Sequence, residues 1–278
     1  MNEAIYYFTY VPTNTVPQIA LAAYFIIGVV LVIQTVRARA QHWIFILAGT
    51  AFAESLGYAF RTACVYNITF GLYVLMVLFL LLPPNALALV NYKTLGMVVR
   101  ESAASPRWFW LRPKFITWFF FASDLLSIAL QGAGGGMSTQ ESLQDQAKIV
   151  ALIGLTIQLV FFAAFFAIAI YVWLRPEYTV APGPKDRDEK STKRKVMSIV
   201  VVTTIVLYLR SVYRIVEFAD GYGGKIYSAE WAFYVFDTIL ILITFLTYMV
   251  CFIGHNFQRA STVSSGVHVE EPVPKSAQ

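Results

Sequence analysis

The chain reads as an all-α bundle of seven transmembrane helices, and three observations carry that reading. Of its 278 residues, 58% are apolar and 13% are charged, with a mean hydropathy of +0.62. Such a composition belongs to integral membrane proteins. Seven apolar segments approach or exceed the roughly 20 residues that a helix needs to span a bilayer. They run apolar without the alternation of a membrane barrel, and within hydrocarbon a helix satisfies its own backbone.

The segments follow one another closely. The first, 17–36, stops at Arg37, and the second, 42–62, carries Glu54 and Arg61. The third, 69–91, contains Pro83, Pro84 and Asn85. The fourth, 115–133, holds Asp124 and Gln131 and runs into a glycine-rich stretch, 132–136, that is expected to be a flexible turn. The fifth, 149–174, has Gln158, the sixth, 196–218, has Arg210, Arg214 and Glu217, and the seventh, 230–254, has Asp237. Residues 1–16 lack the basic start and cleavage pattern of a signal peptide, so they form an external N-terminus before an uncleaved first span. Residues 17–254 form the membrane domain, and 255–278, rich in Pro and Ser, are a disordered cytoplasmic tail.

Basic residues set the orientation. The links 37–41, 93–114 and 175–195, together with the tail, hold sixteen Lys and Arg, whereas the opposite side holds only Lys148 and Lys225. The positive-inside rule therefore places the N-terminus outside and the C-terminus in the cytoplasm. The mixed charges of 185–195 read as a solvated linker that can rest against anionic headgroups. Asn67-Ile68-Thr69 is a glycosylation triplet on the external side, although its closeness to the membrane disfavours modification. Cys64 and Cys251 fall near opposite surfaces, so no internal disulfide is expected.

An isolated charge within a bilayer costs roughly 2.5–3.5 kcal/mol on insertion scales, so the buried charges need partners. Glu54 with Arg61, Asp124 with Gln131, and Arg210 with Glu217 are each seven residues apart. Two helical turns put each pair on one stripe, about 10 Å apart along the axis. Arg210 and Arg214 share a face and repel; Glu217 relieves one, and the other needs an acid from another helix, such as Glu54, Asp124 or Asp237. With the orientation above, Arg61, Gln131, Gln158, Asp237 and the 210–217 group fall in the outer half of the bundle, with Glu230 at its rim. Tyr58 and Tyr213 lie beside the charges and either pack or hydrogen-bond. Gln131 and Gln158 are costly to bury unpaired and should bond across helices. The charged stripes read either as a ligand pocket or as a packing network that fixes helix register.

Consecutive prolines remove backbone donors and clash with the preceding turn, so Pro83 and Pro84 should kink or break the third span, with Asn85 placed to cap or pair with the freed carbonyls. Other chemistries find no support. The glycine stretch lacks the Lys and Ser or Thr of a phosphate loop. His42, His255 and His268 lie at the cytoplasmic ends or in the tail, without zinc spacing and away from the polar cluster, so neither a metal site nor axial haem ligation by histidine is expected. The last span has no lysine for a retinal Schiff base. No nucleophile motif suggests an enzyme, and nothing resembles a nucleic-acid-binding module.

Several motifs resemble those of a known family. They are Glu54-Ser-Leu-Gly57-Tyr58-Ala-Phe-Arg61, Phe121-Ala-Ser123-Asp124 with Gln131 and Gly134 to Gly136, and Gly154 with Gln158. The most specific is Arg210-Ser-Val-Tyr213-Arg214-Ile-Val-Glu217, followed by Gly221, Gly224, Glu230, Tyr234 and Asp237. In this order they resemble the fungal RTA-like family, also called the lipid-translocating exporter family. Where that family usually has Ala-Pro followed by small apolar residues in span three, this chain has Leu82-Pro83-Pro84-Asn85-Ala86. The resemblance implies a seven-helix protein of the plasma membrane, linked to resistance to toxic amphiphiles and to movement of sphingoid bases, sterol-like compounds and porphyrins.

The functional expectation is a translocator of lipids and amphipathic small molecules. Its substrate-binding residues would be Glu54, Tyr58, Arg61, Asp124, Gln131, Gln158, Arg210, Tyr213, Arg214, Glu217 and Asp237. The alternative is a seven-helix sensor of the same ligands. No nucleotide or metal cofactor is implied, and porphyrin or haem enters only as a ligand. Without a nucleotide motif, transport must be downhill, driven by a partner or proton-coupled, with Glu54, Asp124 or Asp237 exchanging protons. Partners are membrane lipids and an amphipathic ligand, with no nucleic acid; the oligomeric state is not encoded in any pattern here.

Overall fold

The computed structural model describes residue 8 and residues 12–102, 111–137, 141–180, 188–221, 224–226 and 228–257. Among these residues the secondary structure is helical, without strands. Helix α1 spans Thr15–Arg37, α2 Phe45–Tyr66, α3 Phe70–Glu101, α4 Pro113–Met137, α5 Gln144–Leu174 and α6 Glu189–Asp220. Helix α7 comprises Glu230–Phe233, a π-helical turn Tyr234–Ile239, and Leu240–Val250. All seven are long and apolar enough to cross a membrane, and the protein is an integral membrane protein.

Successive helices pack side by side, and α7 returns to α1. Helix α3 touches α2, α4 and α6, so it occupies the interior of the bundle. Large apolar residues such as Ile19, Phe25 and Ile26 of α1, Leu125 and Leu126 of α4, and Val160 of α5 point outward, where lipid accepts them without cost. Two glycines set helix spacing: a Cβ at Gly57 would meet Leu80 Cδ2 of α3 at 2.8 Å, and one at Gly154 would meet the Ser127 carbonyl oxygen of α4 at 2.9 Å. Small residues let membrane helices approach this closely.

Four expectations need correction. Gly132 to Gly136 are not a turn but the last turns of α4, because Gly134 packs against Ala147 and Ala151 of α5 and the helix gains those contacts. Residues 189–195 are not linker but the start of α6, capped by Asp188, whose side chain accepts from Ser191 N at 3.0 Å. Lys193 there is buried and donates to the Arg175 carbonyl. The expected tail begins later than His255, since Phe257 is buried against Trp43 and its carbonyl accepts from Gln41 N at 3.0 Å. Helix α3 runs unbroken through Pro83 and Pro84. Asn85 does not pair with the carbonyls that the prolines free, those of Phe79 and Leu80: its side chain donates to the next one, the Leu81 carbonyl, at 2.8 Å. The remaining parts of 185–195 and of the tail, including His268, lie outside the described residues. Both cysteines are free.

Candidate functional site

The connections α2–α3, α4–α5 and α6–α7 form one end of the bundle, marked by Asn67, and the intramembrane charges gather toward it. Helix α6 contributes most. Arg210, Tyr213, Arg214 and Glu217 recur at spacings of three and four, which puts them on one face. Arg214 Nη1 donates to Glu217 Oε2 at 2.8 Å, and Tyr213 OH donates to Glu217 Oε1 at 3.3 Å. Arg210 finds its acid on another helix: its Nε lies 2.6 Å from Asp237 Oδ1 of α7. This is a close contact of charges without the alignment of a hydrogen bond.

Arg61 of α2 reaches α7 instead of Glu54. Its Nη2 is 3.4 Å from Glu230 Oε1, its Nε donates to Tyr234 OH at 3.3 Å, and its guanidinium sits 4.5 Å from the ring centre of Phe233 and 5.3 Å from that of Phe8. Aromatic faces attract a guanidinium and stabilise it more when water is excluded. Glu230 also accepts from the Thr13 backbone N at 3.1 Å and its hydroxyl at 3.1 Å, which ties the segment before α1 to the start of α7.

A cavity of about 110 Å³ lies among these residues, lined chiefly by Arg61, Gln131, Arg214, Glu217 and Asp237 on its polar side and by Phe8, Tyr73, Met76, Leu80, Phe218 and Phe233 on its apolar side. Gln131 connects it to the interior: Gln131 Nε2 donates to Gln158 Oε1 at 2.9 Å, and Gln158 Nε2 donates to Asn85 Oδ1 at 2.8 Å. The expected bonding of both glutamines across helices is therefore present, as a chain from α4 through α5 to α3.

The other predicted residues do not line the cavity. Tyr58 OH lies 2.6 Å from Thr238 Oγ1 and stacks on Tyr24, whose own OH donates to the Thr238 carbonyl at 2.6 Å. Asp124 accepts from Tyr92 OH at 2.8 Å, within an aromatic cage of Phe120, Phe162 and Phe165 around Tyr92, and so leaves the charged group. Glu54 is fully buried, and neither of its oxygens has a hydrogen-bond partner among the described residues. Arg210, Tyr213 and Gln158 stand one layer behind the lining.

Sequence reasoning missed the aromatic wall of Phe8, Tyr73, Phe218 and Phe233, which carries no signal apart from the many other aromatics of the spans. It also missed a buried polar knot toward the other end of the bundle: Asn91 Oδ1 accepts from Tyr248 OH and from Thr203 Oγ1 at 2.9 Å, and Asn91 Nδ2 donates to Thr204 Oγ1 at 3.2 Å. An amide within an apolar span was the available clue there. No cluster of potential metal ligands occurs among the described residues.

The family described as "RTA1 like protein" matches residues 45–260, which include every helix that lines the cavity. The chain belongs to this family. Among its RTA1-like relatives, Protein RTM1 of Saccharomyces cerevisiae is 30% identical over 226 residues, covering 80% of this chain and 71% of that protein. Protoporphyrin uptake protein 1 of the same organism is 28% identical over 189 residues, covering 66% of this chain and 60% of that protein. Its sphingoid long-chain base transporter RSB1 is 25% identical over 183 residues, covering 54% and 48%. The chain thus spans less than two thirds of the length of the latter two. No solved structure matches this RTA1-like chain at a significant level.

Proposed function

We propose that this protein translocates single-chain amphipathic molecules across the membrane, holding the polar head in the Arg61–Asp237 cavity while the tail lies between helices. The observation that carries this reading is the cavity itself, in which charged and amide groups from α2, α4, α6 and α7 meet an aromatic wall inside a membrane bundle. A site for an amphiphile needs both surfaces at once. Its charge pattern suits an amine with nearby hydroxyls: Glu217 and Asp237 attract the ammonium, and Gln131 hydrogen-bonds a hydroxyl. Its volume suits a headgroup better than a porphyrin macrocycle, which would require helices to part. The names of two relatives, a sphingoid base transporter and a protoporphyrin uptake protein, agree with a transport role for amphiphiles.

In this reading the Asn67 end faces outward, following the distribution of Lys and Arg, and the plasma membrane is the site of action. No catalytic step is involved. The test is purified protein in liposomes loaded with a labelled sphingoid long-chain base. Protein-dependent movement of the base between leaflets supports the proposal; saturable binding without movement overturns it in favour of a sensor.

A further inference from the structure

Among the carboxyl groups that do not line the cavity, Glu54 differs from Asp124 and Glu230 in having no hydrogen bond among the described residues. Glu54 has no hydrogen-bond partner for either oxygen among the described residues and no exposure. An ionised carboxylate buried in that state is penalised by several kcal/mol. The ionisable groups around it are Tyr24 of α1, Tyr58 one turn further along α2, Arg210 of α6 and Asp237 of α7. Both tyrosine hydroxyls are committed to Thr238, and Tyr92 of neighbouring α3 is committed to Asp124.

Among the described residues Arg210 is the cation that acts on Glu54, and Asp237 holds it at 2.6 Å without an aligned hydrogen bond. Two acids thus compete for one guanidinium. They differ in one respect: Asp237 lines the cavity, whereas Glu54 and Arg210 lie behind it. Asp237 also sits on the π-helical turn of α7, a local geometry frequent at functional sites.

We propose that Glu54 is a proton-binding site coupled to the cavity by exchange of Arg210 between two carboxylates. When an ammonium headgroup enters and takes Asp237, Arg210 turns to Glu54, whose proton leaves past Asp237, the neighbour that lines the cavity, to solvent there. Departure of the headgroup reverses each step. Charge in the buried group is conserved throughout: a neutral Glu54 with the Arg210–Asp237 pair becomes a Glu54–Arg210 pair with an Asp237–ammonium pair. A low-dielectric interior favours exchange that keeps net charge constant. The ligand half of this cycle rests on the translocator reading above; the protonation of Glu54 and its dependence on Asp237 do not.

The experiment separates the two halves. Infrared difference spectra of the ligand-free protein, wild type against Glu54→Gln, should assign a protonated carboxylic-acid carbonyl band to Glu54. The same band should disappear in Asp237→Asn, where Arg210 is released to Glu54. Titration of the weakly buffered wild type with a sphingoid long-chain base should then release about one proton per base bound, and Glu54→Gln should release almost none. A wild type without the Glu54 acid band, or an Asp237→Asn variant that keeps it, overturns the proposal. Base binding with equal proton release in wild type and Glu54→Gln overturns the coupling. If the spectra behave as expected but the base does not bind, the translocator reading falls and the Arg210 exchange stands. Should Asp237→Asn fail to fold, the comparison of proton release between wild type and Glu54→Gln decides alone.

Discussion

Gln158 of α5 donates to Asn85 of α3 at 2.8 Å, one residue past the paired prolines. That bond, together with the Asn85 side chain on the Leu81 carbonyl, braces α3 just past the prolines. Gln158 also accepts from Gln131, so the support for α3 and the floor of the cavity share one side chain.

Gln158→Leu should therefore destabilise the protein although it adds apolar volume. It leaves Asn85 Oδ1 and Gln131 Nε2 buried without a partner, a loss of about 1–3 kcal/mol. Thermal unfolding in detergent should show a lower Tm than for wild type, and Gln158→Glu should lie between the two. An unchanged Tm for Gln158→Leu would mean that the amide chain contributes no support.

Arg214→Ala should cost more stability than removal of Arg214 and Glu217 together, because the single change leaves a buried carboxylate with Tyr213 as its remaining hydrogen-bond donor among the described residues. A double-mutant cycle should give a coupling of about 0.5–3 kcal/mol. Additive effects would dissolve the pair.

Asp237→Asn and Asp124→Asn should separate ligand contact from packing. Asp237 lines the cavity, so its neutralisation should weaken binding of a sphingoid long-chain base by about tenfold or more, equivalent to roughly 1.4 kcal/mol. Asp124 bonds to Tyr92 away from the cavity, so its neutralisation should change Tm and leave affinity alone. Equilibrium binding beside melting curves for both variants checks this; equal affinity losses in the two would mean that the cavity is not the binding site.

Orientation is testable with single cysteines in a background where Cys64 and Cys251 are serine. Asn67 and Ser191 are both exposed and belong to opposite ends of the bundle. Asn67→Cys should react with an impermeant maleimide on intact cells, and Ser191→Cys only after permeabilisation. The reverse pattern would invert the topology.

Gly57→Val should fold poorly. Its side chain would enter space held by Leu80 and the Phe79 backbone, and overpacking of this kind costs about 1–3 kcal/mol. Reduced yield and Tm, with partial rescue by Leu80→Ala, would establish the close α2–α3 approach.

Much of the architecture was legible from residues alone. Hydropathy marks each helix because lipid solvates apolar side chains wherever they lie along a span, so length and composition suffice to count seven. The 3.6-residue period likewise put Arg210, Arg214 and Glu217 on one stripe and required an acid from elsewhere for one of the arginines. Which acid was a matter of helix neighbours: Asp237, Asp124 and Glu54 were equal candidates by sequence, and only the packing of α7 against α6 brought Asp237 to Arg210. The same packing sent Asp124 to Tyr92, left Glu54 without a hydrogen-bond partner among the described residues, and let Gly132 to Gly136 continue as helix against α5. Local sequence determines which groups need a partner, because the cost of burial is a property of the group itself; tertiary structure decides which partner each receives, because that depends on distances between helices far apart in the chain.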